Sequence, residues 1–120
     1  MEEKESRKRL RNYLKNYRSW QAQAKEIEGA SARGEVLDSL RGMLNDAKDE
    51  FVSKCRIVRI ILGYTKDGKE RRIMNMLYVD GKSMEQIAKE LKYSYGYCAN
   101  IELKAIDRMS KDASIMQLVG

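Results

Sequence analysis

Apolar residues recur at every third or fourth position along most of the chain, which is the spacing of one face of an α-helix. From Glu2 to Glu28 this spacing predicts a single helix. Its inward face is formed by Leu10, Leu14, Tyr17, Gln21, Ala24 and Ile27, and is widened by Tyr13 and Trp20. No segment alternates apolar and polar residues as a half-buried strand does, so we predict an all-α fold.

A second helical pattern follows a glycine-flanked connector, Gly29 to Gly34, and runs from about Glu35 to Leu62. Together the two helices predict an antiparallel, coiled-coil-like arm over residues 1–65. Such a pair buries too little apolar surface to be stable alone, so we expect the arm to pack on a partner chain or on the rest of the protein. The residues expected to form a homo-oligomer contact are Leu37, Leu40, Leu44, Phe51 and Val58.

Residues 66–120 predict a second unit of three short helices. The first runs from Glu70 to Val79 and ends at Gly81, a residue suited to a helix C-terminus. Ser83 can cap the next helix in a capping box with a glutamine three residues on, and Ser94 can cap the last. Because so few residues separate these two helices, we predict a helix-turn-helix. The tail after residue 110 either extends the last helix or docks on the arm.

The same segment resembles a known family. The sequences Ile87-Ala88-Lys89-Glu90-Leu91 and Ile101-Glu102-Leu103-Lys104-Ala105-Ile106, with Ser94 between them, are similar to the helix-turn-helix of sigma-70 region 4. They also resemble phage transcriptional regulators of the RinA and ArpU type. This resemblance implies a DNA-binding protein whose second helix reads promoter DNA, with RNA polymerase as a possible partner of the arm.

The chain departs from this family at two places. Lys92 stands where the turn usually has glycine, so we expect it to adopt a left-handed conformation at a cost of about 1 kcal/mol. At the positions where sigma proteins read bases, this chain has Tyr95, Gly96, Ala99 and Asn100. The fold of the family is therefore expected here, but its DNA code is not.

The first turn of the second helix is the part that enters the major groove in helix-turn-helix proteins. Asn100 can pair with adenine through two hydrogen bonds, and a tyrosine hydroxyl can donate to phosphate. We expect Tyr93 to pack in the core. The full set predicted to bind double-stranded DNA is Lys82, Lys92, Ser94, Tyr95, Gly96, Tyr97, Ala99, Asn100 and Lys104.

Composition narrows the remaining choices. The formal net charge of +6 permits nucleic-acid binding without requiring it. The basic segment from Arg7 to Arg18 fits a solvated helix face, with phosphate contact as the alternative. The chain has no histidine, and Cys55 and Cys98 both fall on apolar stripes, so we expect buried thiols, no metal site, no cofactor and no catalysis. Without a long apolar run or a signal-like start, we expect a cytoplasmic protein that does not enter membranes.

The sequence thus predicts a sequence-specific DNA-binding transcription regulator, encoded by a phage or mobile element. One alternative is a protein-interaction module that keeps a sigma-like fold but has lost DNA reading, since exposed tyrosines are enriched at protein interfaces. Another is a small phage packaging (terminase) subunit, which also joins a helix-turn-helix to helical oligomerisation arms.

Overall fold

The structure, a computed structural model, describes residues 2–34 and 37–120. These residues form helices and no strand, which confirms the all-α prediction. The helices are α1 (Glu2–Lys15), α2 (Tyr17–Ala32), α3 (Asp38–Leu62), α4 (Gly68–Tyr78), α5 (Met84–Leu91), α6 (Tyr95–Ser110) and α7 (Ala113–Val119).

The prediction of one helix from Glu2 to Glu28 is wrong, because the helix bends at Asn16. The Asn16 N–H donates to the Tyr13 carbonyl three residues back, and its side-chain amide donates to the Asn12 carbonyl. A side chain that bonds to the carbonyl four residues back competes with the regular helix ladder and is a common cause of bending. The predicted connector also begins too early, since α2 continues through Gly29 to Ala32.

The bend separates α1 from the helices that follow it. α1 packs against α6 and α7, whereas α2 lies along α3. Cys55 of α3 approaches Tyr17 at the start of α2, and Lys48 lines the same groove as Glu28 near the end of α2, so the two helices run in opposite directions. α1 therefore belongs with the helices of residues 66–120, not with the arm that we predicted for residues 1–65. We call residues 17–34 and 37–62 the α2–α3 hairpin.

Two apolar clusters hold the helices together. The larger one joins α1, the base of the α2–α3 hairpin, α4, α6 and α7. Its fully buried members include Leu10, Leu14, Tyr17, Ile61 and Ile106. The smaller cluster lies between α4, α5 and α6 and consists of Ile73, Met76, Ile87, Ala88 and Cys98. The small side chain of Ala88 is buried in this cluster, where α5 packs against α6.

The tail after Ser110 forms its own helix, α7, which packs against α1 and α6. Asp112 caps it by accepting from the N–H groups of Ser114 and Ile115, and Ile115 is buried in the larger cluster. The tail thus forms a separate helix that packs on α1 and α6. α1 was predicted to be part of the arm but does not belong to the α2–α3 hairpin.

Candidate nucleic-acid interface

Local sequence fixes where α5 and α6 begin. Ser83 accepts from the Gln86 N–H at 3.2 Å, and the Gln86 side chain accepts from the Ser83 N–H at 3.0 Å, so the predicted capping box is present. Ser94 accepts from the Tyr97 N–H at 3.1 Å and caps α6 as predicted. Between the helices, Lys92 has φ 61° and ψ 38°, which is the left-handed conformation expected from the sequence.

The faces of α6 differ sharply in exposure. Its inner face is buried and includes Cys98, Ala105, Ile106 and Met109. Its outer face presents the ridge that we name the α6 ridge, formed by Gly96, Asn100, Leu103 and Lys104, which all lie on the exposed side. Nothing lies within 4 Å of the position that a Cβ atom would take at Gly96. The ridge is therefore exposed at all four positions and has open space at Gly96.

Most of the predicted DNA-binding residues lie on or beside the α6 ridge. Lys92, Ser94, Tyr95 and Tyr97 are exposed, and Ala99 is half-buried. Lys82 is the exception, because it is half-buried and its ammonium donates to the Glu90 carboxylate at 2.8 Å. This bond raises the pKa of Lys82 and ties up the side chain that we had expected to contact phosphate.

The expectation that Tyr93 packs in the core is wrong. Tyr93 is exposed, and its ring meets that of Tyr97 edge-on, with centroids 5.1 Å apart. The Lys69 ammonium donates to the Tyr97 hydroxyl at 2.7 Å and lies over both rings. The hydrogen bond to Tyr97 raises the pKa of Lys69. Tyr97 is thus held by α4, whereas Tyr95 is 57% exposed.

A groove of about 260 Å³ runs between α6 and the loop and first turn of α4. Asn100 and Lys104 line it from α6, and Lys66 and Lys69 line it from the other side. The last two residues were missed by the sequence reading, because they precede Asn100 by more than thirty positions and nothing local marks them as its neighbours. They add positive charge next to the predicted base-reading residue.

Two buried carboxylates fix α6 against its neighbours. Glu102 accepts two hydrogen bonds from Arg11 of α1, at 2.7 and 3.1 Å, and one from the Tyr78 hydroxyl at 2.6 Å. Burial, reinforced by the negative charge of Glu102, raises the pKa of Tyr78. The bond to Glu102 outweighs burial and raises the pKa of Arg11. Glu102 therefore anchors α6 to both α1 and α4.

The second carboxylate, Glu70, anchors α4 and the loop before it. Arg108 of α6 donates to it twice, at 2.9 and 2.6 Å, and the Lys66 N–H donates as well. Burial opposes ionisation of Glu70, but these hydrogen bonds and the charge of Arg108 outweigh it and lower the pKa of the carboxyl. The outer surface of α6 is thus presented by a rigidly held helix.

The residues predicted for oligomerisation divide along the α2–α3 hairpin. Leu37 and Leu40, near the tip, are exposed, and Leu44 and Phe51 are half-buried. Val58 is fully buried in the chain's own larger cluster and is therefore removed from the predicted contact surface. Met43, which was not among the residues predicted for oligomerisation, is 70% exposed beside Leu40.

The described residues contain no group of three or more potential metal ligands, and no helix among them is both long and apolar enough to span a membrane. Both cysteines are unpaired thiols; Cys98 is buried as expected, but Cys55 is only half-buried. Burial raises the pKa of each thiol.

Comparisons with protein-family models, curated proteins and solved structures each give no match. The resemblance to sigma-70 region 4 thus stays a prediction.

Proposed function

We propose that the chain binds double-stranded DNA, with α5 and α6 acting as a helix-turn-helix and the α6 ridge entering the major groove. The observation that carries this proposal is the position of Asn100. It lies on the exposed ridge of a helix whose inner face is locked in the core, beside a groove lined by Lys66, Lys69 and Lys104. An amide that can pair with a base edge, beside cations that can contact phosphate, suits recognition in the major groove.

Each exposed residue has a role suited to its chemistry. Asn100 pairs with a base edge, preferably adenine. Gly96 leaves space for the helix to approach the groove floor, since no atom lies near its missing Cβ. Tyr95 contacts a phosphate or a thymine methyl group, and Lys92 and Lys104 contact phosphate. Lys82 is left out of this proposal because it is paired with Glu90.

Substitution of Asn100 and Lys92 separates base reading from phosphate binding. Duplexes selected from random sequence and scrambled duplexes are titrated with each protein across a salt series. Asn100→Ala should cost about 1–3 kcal/mol on the selected duplex and blur the preference at one base pair. Lys92→Ala should weaken binding to all duplexes alike and flatten the slope of log K against log salt by about one unit.

Asn45→Ala is the matched control for this experiment, because Asn45 is an exposed asparagine on α3, away from the α6 ridge. It should leave both affinity and preference unchanged. The proposal is wrong if the parent protein binds no duplex at low salt, or if Asn100→Ala and Asn45→Ala behave alike.

A second candidate function rests on the exposed aromatic residues. Tyr95 projects more than half of its surface to solvent, and Tyr93 and Tyr97 lie exposed beside it. Exposed tyrosines are enriched where proteins bind other proteins. If the chain fails to bind DNA and a protein partner is lost on Tyr95→Ala, this surface is a protein-binding site.

In the proposed function, the α2–α3 hairpin serves self-association through its exposed tip. Dimeric DNA-binding proteins contact two half-sites, which raises both affinity and specificity. A role as a transcription regulator, with RNA polymerase as partner, is what the resemblance to sigma adds to this proposal. Ring-sized oligomers in solution would instead favour a packaging subunit.

A further inference from the structure

A row of basic residues lies along one face of α1. Each of its members lies three or four positions from another member, so they share that face of the helix. The members are Lys4, Arg7, Lys8, Arg11 and Lys15. They line a groove of about 370 Å³ together with Asn12 and with Leu103 of α6. This groove is larger than the groove of about 260 Å³ on the other side of α6, and it is bordered mainly by cations.

Two cations of the row form ion pairs with carboxylates of α6. Arg7 donates to Asp107 at 2.9 Å, and Arg11 holds the buried Glu102 carboxylate. Because the partner positions on α6 fall as those on α1 rise, the two helices are antiparallel. This places Lys15 toward the N-terminal end of α6, where the predicted base-reading residues lie.

The three lysines of the row, unlike the two arginines, form no ion pair within the protein's described residues. Lys4, Lys8 and Lys15 are exposed, and none of them forms an ion pair within residues 2–34 and 37–120. Unpaired exposed lysines repel each other when they share a helix face. An anionic partner that runs along the row would therefore relieve this repulsion and bind favourably. We call these residues the α1 lysine row.

The position of the α1 lysine row relative to the α6 ridge indicates that this anionic partner is duplex DNA. Leu103 belongs to the ridge and also lines the α1 groove, whereas Asn100 and Lys104 line the groove on the opposite side, with Lys66 and Lys69. Asp67 and Glu70 also line that second groove, but with Arg108 its cations outnumber them by four to two. The ridge is thus flanked by an excess of cations on both sides. The major groove of duplex DNA is likewise flanked by two phosphate backbones.

We propose that the α1 lysine row is a second phosphate-binding surface, which contacts one backbone of a DNA duplex while the α4 side of α6 contacts the other. This inference rests on the proposed function. It assigns a DNA contact to the first helix of the chain, about eighty residues before the helix-turn-helix. Arg7 and Arg11 act as positioning residues that hold the row beside α6.

The test uses the full chain and the triple variant Lys4→Gln/Lys8→Gln/Lys15→Gln. Binding to a selected and a scrambled duplex is measured between low and physiological salt. The slope of log K against log salt should flatten by about two to three units, because three phosphate contacts are lost. Affinity for both duplexes should fall by roughly tenfold or more at moderate salt, with sequence preference unchanged.

The control removes the same charge from the α2–α3 hairpin, in the variant Lys25→Gln/Lys48→Gln/Arg56→Gln. These residues lie on α2 and α3, away from the α6 ridge. The control should keep the parent slope. Circular dichroism melts check that both triple variants fold. If the α1 triple variant does not fold, Lys8→Glu alone is measured in the same way and tests the row by reversing a single charge.

The outcomes distinguish this inference from the function on which it rests. If the parent binds a preferred duplex, Asn100→Ala weakens it, and the α1 variants keep the parent slope, the inference is overturned and the proposed function stands. Equal losses in the α1 and hairpin variants would also overturn it, because net charge alone would then account for the effect. If the parent binds no duplex, both proposals fall together.

Discussion

At the scale of single residues, Lys92 combines a backbone requirement with the charge that we propose contacts phosphate. It is the only non-glycine residue with positive φ in the described part of the chain. Its conformation turns the chain so that the Tyr93 N–H donates to the Ala88 carbonyl and Ser94 is placed to cap α6. A side chain in this conformation costs about 1 kcal/mol relative to glycine, so Lys92 makes this turn less stable than glycine would.

Two substitutions at this position separate the backbone effect from the charge. Lys92→Gly should raise the free energy of unfolding by about 1 kcal/mol relative to Lys92→Ala, because only glycine adopts the left-handed conformation without strain. Both variants lose the same charge and should lose the same DNA affinity. Urea denaturation and duplex titration of the two variants provide the comparison. Equal stabilities would show that the turn relaxes when the side chain is shortened.

At the scale of elements, α6 depends on ion pairs that join it to α1 and α4. Glu70 is buried, and its pKa is held below the ordinary value of 4.5 by Arg108 and the Lys66 N–H, which outweigh burial. A carboxyl whose pKa is lowered on folding stabilises the protein fully above its unfolded pKa. That contribution is lost as the pH falls through the lower folded pKa.

Glu70→Gln should therefore lower the free energy of unfolding by about 2 kcal/mol at pH 7, because charge-assisted hydrogen bonds are lost. The difference between the variant and the parent should shrink as the pH falls below about 4. Glu85→Gln is the matched control, since Glu85 is exposed on α5 and makes no ion pair within the described residues. Urea denaturation at several pH values tests this, and a difference that does not depend on pH would contradict it.

The elements also show what the sequence could and could not reveal. The capping box at Ser83, the cap at Ser94 and the turn at Lys92 were predicted correctly, because each depends on residues within four positions of it. The bend at Asn16 and the exposure of Tyr93 were not predicted. A helical stripe continues through a bend without a break in its rhythm, and an aromatic residue in a turn can be buried or stacked equally well.

The candidate interface divides in the same way. The residues of α6 were identified from one continuous segment, whereas Lys66, Lys69 and the α1 lysine row come together with it only through packing. No local pattern links residue 8 to residue 103. Their proximity follows from α1 packing on α6, which was missed because the first helix was assigned wholly to the arm.

At the scale of the whole molecule, the protein is elongated. Its radius of gyration is 16.9 Å, and its dimensions are 52 × 33 × 22 Å. A compact domain of this length has a radius of gyration of about 14 Å. The difference reflects the α2–α3 hairpin, whose base is buried in the larger apolar cluster while the start of α3 is largely exposed.

The exposed start of α3 leads to a prediction about self-association. Leu37 and Met43 are each 70% exposed, and Leu40 lies between them at 44%. Isolated apolar side chains are common on protein surfaces, but a contiguous group near the tip of a projecting hairpin is typical of an interface. We expect the parent to sediment as a dimer or larger species, and the variant Leu40→Lys/Met43→Lys to sediment as a folded monomer. Because both side chains are exposed in the single chain, these substitutions should leave its helical content unchanged.

Arg41→Ala/Asn45→Ala, on exposed positions of the same turns, serves as the control and should keep the parent mass. A parent protein that is monomeric at high concentration, or a lysine variant with the parent's sedimentation mass, would show that the hairpin tip does not join copies of this chain. If the parent is a monomer, the proposed function would place it on a recognition site without the two-fold symmetry of a dimer site.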